Sequence, residues 1–123
     1  MSTFRKGSTL VVLVAVVVLV AAVAAFGGSA QQTAATTKVT VDAREYSFAV
    51  KPMTVAKGLV VFSVANKGGI AHDFKIAGKK TPILAAGGKR SLRVTFTKPG
   101  RYAYLCTLPS HATAGMRGVL VVK

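Results

Sequence analysis

The apolar residues of this chain follow two different patterns. From Leu10 to Phe26 they run unbroken for 17 residues, behind Arg5 and Lys6 and ahead of Gly27, Gly28, Ser29 and Ala30. A basic start, an apolar core and small residues at its end make a secretory signal, cut after Ala30. The core is longer than most signal cores and shorter than the roughly 20 residues of a comfortable membrane span. Residues 1–30 therefore read as a signal peptide or as a retained N-terminal anchor helix. Either form exports the rest of the chain. Residues 31–37 (QQTAATT) have no apolar period and read as a linker, which leaves 38–123 as the folded domain.

After Lys38 the period is two. Val39, Val41 and Ala43 alternate with polar residues, and the parity then moves to Tyr46, Phe48 and Val50. The shift predicts a bulge at Arg44–Glu45. Val60, Phe62 and Val64 alternate next and stop at Asn66-Lys67-Gly68-Gly69. Ile70, His72, Phe74 and Ile76 share the parity of another strand, and Leu92, Val94 and Phe96 that of a further one. Lys98-Pro99-Gly100 reads as a turn, Arg101–Cys106 as a strand, and Gly118–Val122 as the closing strand. No stretch of this part holds a helical period over three turns; Ile83–Ala86 admits one short helical turn. Short strands divided by Gly and Pro turns predict an all-β sandwich or barrel.

Composition narrows the chemistry. The chain has 17 Lys+Arg against 3 Asp+Glu, 51% apolar residues, one Cys and two His. The apolar content excludes a disordered chain. One thiol excludes an internal disulfide, and one Cys with two His cannot build a zinc-finger framework. Asp42, Glu45 and Asp73 are the only carboxylates, and none pair as a catalytic dyad would require. Removing Arg5 and Lys6 leaves 15 basic against 3 acidic residues, a net +12 on the exported part.

The chemistry lies in Cys106-Thr-Leu-Pro-Ser-His111-Ala-Thr-Ala-Gly-Met116. A thiol, an imidazole and a thioether succeed one another at five-residue steps in a loop between two strands, and His72 lies 34 residues earlier with inward parity. Each alone has an ordinary reading. Cys106 would be a small buried hydrophobe, His72 a satisfied core histidine, His111 a solvated loop residue and Met116 core. Together they are the only Cys and both His of the chain, and an unpaired thiol in an exported protein asks for an explanation. Two His, one Cys and one Met form the ligand set of a blue-copper site. Thiolate and thioether suit Cu(I), and imidazole serves both oxidation states. A site that satisfies neither state fully lets the metal change charge with little rearrangement. Pro109 and Gly115 supply the stiff and the permissive point of the loop.

On these motifs the chain resembles the cupredoxins, the small blue-copper family that includes plastocyanin, pseudoazurin, azurin and rusticyanin. The resembling stretch is Lys38–Lys123. It is carried weakly by Ile70-Ala71-His72-Asp73-Phe74 and strongly by Tyr102-Ala-Tyr-Leu-Cys106 through His111 to Met116-Arg-Gly118. The resemblance implies a cupredoxin-like Greek-key β-sandwich with one type 1 copper ion at one end. It implies His72, Cys106 and His111 as the trigonal ligands and Met116 as the axial one. Four residues separate Cys106 from His111, as in azurin and rusticyanin and unlike the shorter gap of plastocyanin. Asp73 departs from the family, which usually has Asn or Ser after the first His. A carboxylate only accepts hydrogen bonds, so only the Asp73 backbone N–H is able to donate to the Cys sulfur. Its charge beside copper would favour Cu(II) and lower the reduction potential. The alternative is an Asp73 that faces solvent and pairs with a lysine.

The function implied is a one-electron carrier between exported redox partners, not an enzyme, at the periplasmic or extracellular face of the cell membrane. Both His are used by one centre, so a second copper type has no ligands. A thiol hydrolase built on Cys106 and His111 lacks a visible orienting group. The competing function is a copper chaperone, storage or resistance protein. In the family the loop His is the electron port; here that is His111, rimmed by Leu108, Pro109, Ala112 and Ala114. A net +12 domain is steered toward an acidic redox protein, a cytochrome or oxidase, or toward an anionic membrane surface. No nucleic-acid motif accompanies the charge, and nothing points beyond a monomer.

Overall fold

A computed structural model of the protein describes residues 35–123; the signal or anchor reading of 1–30 and most of the linker lie outside the described residues. Val39, Val41 and Ala43 are buried on β1 (Thr37–Arg44) while the residues between them are more exposed, as a two-residue period requires. β1 thus starts one residue ahead of Lys38. It turns through Glu45–Tyr46 into β2 (Ser47–Lys51), with Arg44 opposite Ser47. The expected bulge at Arg44–Glu45 is therefore a two-residue hairpin turn. A hairpin loop moves the inward parity just as an extra residue would, so the two look alike in sequence.

β3 (Thr54–Val55) precedes β4 (Gly58–Asn66), where Val60, Phe62, Val64 and Asn66 all point inward. The expected strand through Ile70–Ile76 is reduced to β5 (Lys75–Ile76), paired with β6 (Lys79–Lys80). Residues 70–74 form a loop in which His72 makes an isolated bridge to Leu84. Ile83–Ala86 is not helical, because its backbone is drawn out by that bridge: His72 N–H donates to Leu84 O at 3.0 Å and Leu84 N–H to His72 O at 2.8 Å. β7 (Lys89–Phe96), β8 (Gly100–Leu105) and β9 (Arg117–Val122) complete the strands.

The strands form two sheets in the orders β2-β1-β4-β7 and β3-β9-β8-β5-β6, with parallel pairs at β1·β4 and β3·β9. This is the cupredoxin-like β-sandwich. Between the sheets lies one core that includes Val41, Val60, Phe62, Phe74, Ile76, Phe96 and Leu120. Phe74 is its aromatic centre, with ring centroids 5.4 Å from Phe48, 5.3 Å from Phe62 and 5.5 Å from Tyr104. A smaller cluster of Ala43, Cys106 and Met116, backed by Phe48 and Leu108, sits at the end where β1 and β8 finish.

Candidate metal centre

Three loops meet at that end: the β1–β2 turn, the β4–β5 loop and the β8–β9 loop. The last begins with Cys106 and contains a short helix not expected from the sequence, α1 (His111–Ala114). The loop is closed by its own backbone. Cys106 N–H donates to Met116 O and Met116 N–H to His111 O, both at 3.0 Å. Gly115 has φ +128°, and a side chain there would stand 2.8 Å from Tyr46 O. The position needs glycine both for its dihedral and for the close approach of the β1–β2 turn.

The β4–β5 loop is tied down by Asn66, fully buried at the end of β4. Its side-chain amide donates to Ile70 O at 2.8 Å and Leu84 O at 2.9 Å, and its oxygen accepts Gly68 N–H at 2.9 Å. This holds His72 inward although it is on no strand, while Ile70, of the same parity, is 43% exposed.

His72 and Cys106 are buried and His111 is half-buried, and their ligand atoms all lie within 4.8 Å of one another. His72 Nδ1 is 3.1 Å from His111 Nδ1, which is 3.5 Å from Cys106 Sγ. Nitrogen and sulfur ligands lie about 2.0–2.3 Å from a first-row metal ion. Three such atoms in a plane around one ion are roughly 3.5–4 Å apart, so the donor set fits one small ion. Met116 is fully buried and packs in one cluster with Cys106. His111 lies edge-on to Tyr46, whose ring is 5.2 Å away and 45% exposed.

Asp73 does not face solvent. It is buried, accepts Thr107 N–H on Oδ1 at 2.6 Å and Thr107 Oγ1–H on Oδ2, and Lys80 Nζ stands 3.9 Å from Oδ2. The carboxylate thus braces the Cys loop from the residue after Cys106. The backbone N–H groups of Asp73 and Leu108 favour the thiolate form of Cys106.

Burial pushes the Cys106 thiol above its ordinary 9.0; those two N–H groups act the other way, and the Asp73 charge adds to the rise. The thiolate is the metal-binding form, so a metal ion must displace this proton. Cu(II) affinity should fall about tenfold per pH unit below the thiol's value, measured by chelator competition from pH 8 to pH 6. A flat profile would remove the thiol from the ligand set. In the metal-free chain the raised value has the opposite consequence. Its contribution to stability is complete below pH 9.0 and is lost as the pH rises through the folded thiol's value.

Glu45, Asn66 and Thr107 were not among the residues expected at the site. Glu45 Oε1 stands 2.8 Å from His72 Nε2, the imidazole nitrogen that faces away from the cluster. The His72 hydrogen bond, then the Gly69 and Ile70 N–H groups, hold its carboxyl down at about 2. The Glu45 and Thr107 contacts had no short-range signal, because each partner is more than 20 residues away.

Two imidazoles and one thiol converging at one end of a two-sheet sandwich define a β-sandwich protein with a nitrogen–sulfur site for one soft or borderline metal ion. The model of the copper binding proteins, plastocyanin/azurin family, matches residues 33–123, and the chain belongs to this family of blue copper proteins. Chloroplastic plastocyanin of Physcomitrium patens is 36% identical over 101 residues, 73% of this chain and 58% of the relative. Auracyanin-B of Chloroflexus aurantiacus is 45% identical over 42 residues, 34% of this chain and 18% of the relative. The chain thus spans less than two thirds of either relative. The solved structure of auracyanin A, a "blue" copper protein from the same bacterium, superposes with a TM-score of 0.60 at 20% identity, covering 72% of this chain and all of that one. Copper is the cofactor of the family, and the donors found here are of the kind it needs. Among the described residues no helix is long and apolar enough to cross a membrane.

Proposed function

We propose that the protein is a one-electron carrier of the exported compartment. The observation that carries the reading is the convergence of His72, Cys106 and His111 within 4.8 Å, with two of the three buried. These three, with Met116 buried beside Cys106, would hold the copper ion, which would supply the Cu(II)/Cu(I) couple. The protein's part is to hold soft and borderline donors in a loop whose own hydrogen bonds fix it, so that neither oxidation state reorganises the site. His111 is the port. It is the ligand nearest solvent, rimmed by Tyr46, Leu108, Pro109, Ala112 and Ala114, an apolar face suited to brief docking. The protein transfers electrons and catalyses no reaction of its own.

The partner is an acidic redox protein, a cytochrome or oxidase. All three carboxylates are engaged at or near the site end: Asp42 with Lys67 at 3.0 Å, Glu45 with His72 and Asp73 with Thr107. The net charge of +12 on residues 31–123 is therefore presented by lysines and arginines alone. The test is stopped-flow oxidation of the copper-loaded, reduced chain by an acidic and by a basic redox protein, at rising salt. Faster exchange with the acidic partner, slowed by salt, is expected. Equal, salt-independent rates would sink the charge argument. Failure of exchange together with copper transfer to an apo-acceptor would replace the carrier by a copper-delivery protein.

A further inference from the structure

His72 reaches the surface through Glu45. Its imidazole is buried, and Nε2 stands 2.8 Å from Glu45 Oε1. The carboxylate is itself seated. Oε1 accepts Gly69 N–H at 3.0 Å and Ile70 N–H at 3.2 Å, and Oε2 accepts Gly69 N–H at 3.2 Å. The seat depends on the residue before them. A side chain at Gly68 would put its Cβ into the Glu45 carboxylate, although the Gly68 backbone is not in the left-handed region. The absence of a side chain at Gly68 leaves the space that the carboxylate fills.

A carboxylate only accepts, so the proton of this contact belongs to Nε2. In the neutral imidazole Nδ1 then carries the lone pair, and Nδ1 is the atom 3.1 Å from His111 Nδ1 inside the donor cluster. We propose that Glu45 is a positioning residue for the metal centre. It locks His72 in the Nε2–H tautomer with Nδ1 presented for ligation, and it sets a negative charge behind that ligand that favours the oxidised metal. A carboxylate behind a ligating histidine raises its basicity and fixes its ring. The proposal rests on the copper reading for its second half. The first half concerns the metal-free chain and stands without it.

A merely structural Glu45 would tie the β1–β2 turn to the Gly69–Ile70 backbone and leave the imidazole indifferent. Three variants of the full chain separate the two roles. Glu45→Gln keeps an acceptor for the same N–H groups and removes the charge. Glu45→Ala removes both. Gly68→Ala displaces the carboxylate without altering it, at the flexible end of a side chain. In the metal-free protein, nitrogen-15 NMR should show the His72 Nε2–H tautomer in wild type and in Glu45→Gln. Both tautomers should appear in Glu45→Ala and Gly68→Ala. In the copper-loaded protein, Glu45→Gln and Gly68→Ala should each raise the reduction potential. The change should be about tenfold in the ratio of Cu(II) to Cu(I) affinity, which is about 59 mV for one electron. An Nδ1–H tautomer in wild type overturns the proposal, as does a potential unmoved in both variants with the fold intact. If wild type forms no blue centre, the copper reading fails on its own, and the NMR result alone decides whether Glu45 orients His72.

Discussion

Replacing Cys106 by alanine is expected to abolish the intense blue absorption of the copper-loaded chain while the fold stays in place. The band arises from thiolate-to-Cu(II) charge transfer, and Cys106 holds the only thiol. The side chain is buried beside Ala43 and Met116, so alanine leaves only a sulfur-sized gap. Such a gap costs about 1 kcal/mol, which the two sheets tolerate. Visible spectra of wild type and Cys106→Ala, each with one equivalent of Cu(II), decide the matter when circular dichroism confirms the fold of both. A blue band that survives in the variant, or a folded wild type that shows only a faint d–d band, would mean that the thiolate is not a ligand. Residual Cu(II) binding by His72 and His111 in the variant is compatible with the site.

Phe74→Ala should be the most destabilising single change in the described domain. The ring is fully buried and meets Phe48, Phe62 and Tyr104, which come from both sheets. Deleting a buried phenyl ring costs about 3–5 kcal/mol. For a domain of this size each kcal/mol lowers Tm by roughly 4–8 °C, so a fall of more than about 12 °C is expected. Phe74 also comes directly after His72 and Asp73, and its backbone N–H donates to Thr81 Oγ1 at 3.1 Å. The collapse of this cluster should therefore loosen the metal site as well as the core. Thermal unfolding of the metal-free chain measures the first effect without the second. A loss within about 0.5 kcal/mol, the size of an ordinary surface substitution, would show that the aromatic cluster is not what joins the sheets.

The strands were legible in the sequence where their residues alternate. Val60-Val61-Phe62-Ser63-Val64 declares its inward face by period alone, and so do Leu92, Val94 and Phe96. His72, Cys106 and His111 stand out because the chain has one Cys and two His, and the structure brings the three within 4.8 Å. Where the sequence misled, the physical signal was local and the cause was distant. Strand parity places His72 inward, and inward it is, yet what holds it there is the Asn66 side chain and a bridge to Leu84. Ile83–Ala86 looks able to turn as a helix, but the same bridge extends it. The helical turn forms instead at His111–Ala114, where Met116 N–H returns to His111 O. Asp73 departs from the usual residue, and the sequence left open whether it faced solvent. Only its placement against Thr107, 34 positions away, decides for the interior.

The β1–β2 turn carries no expected ligand, yet it bears on both segments that do. Glu45 reaches into the Gly69–Ile70 backbone on one side, and Tyr46 O lies against Gly115 on the other. The ligand loop is therefore gauged against this turn as much as against the strands that flank it. For protein engineering, the graftable unit is not Cys106–Met116 alone. A ligand loop moved into another sandwich, or exchanged for one of different length, keeps its spacing only if a turn of matching height travels with it. Lengthening the Glu45–Tyr46 turn by a single residue would disturb the centre from outside, with every donor still in the chain.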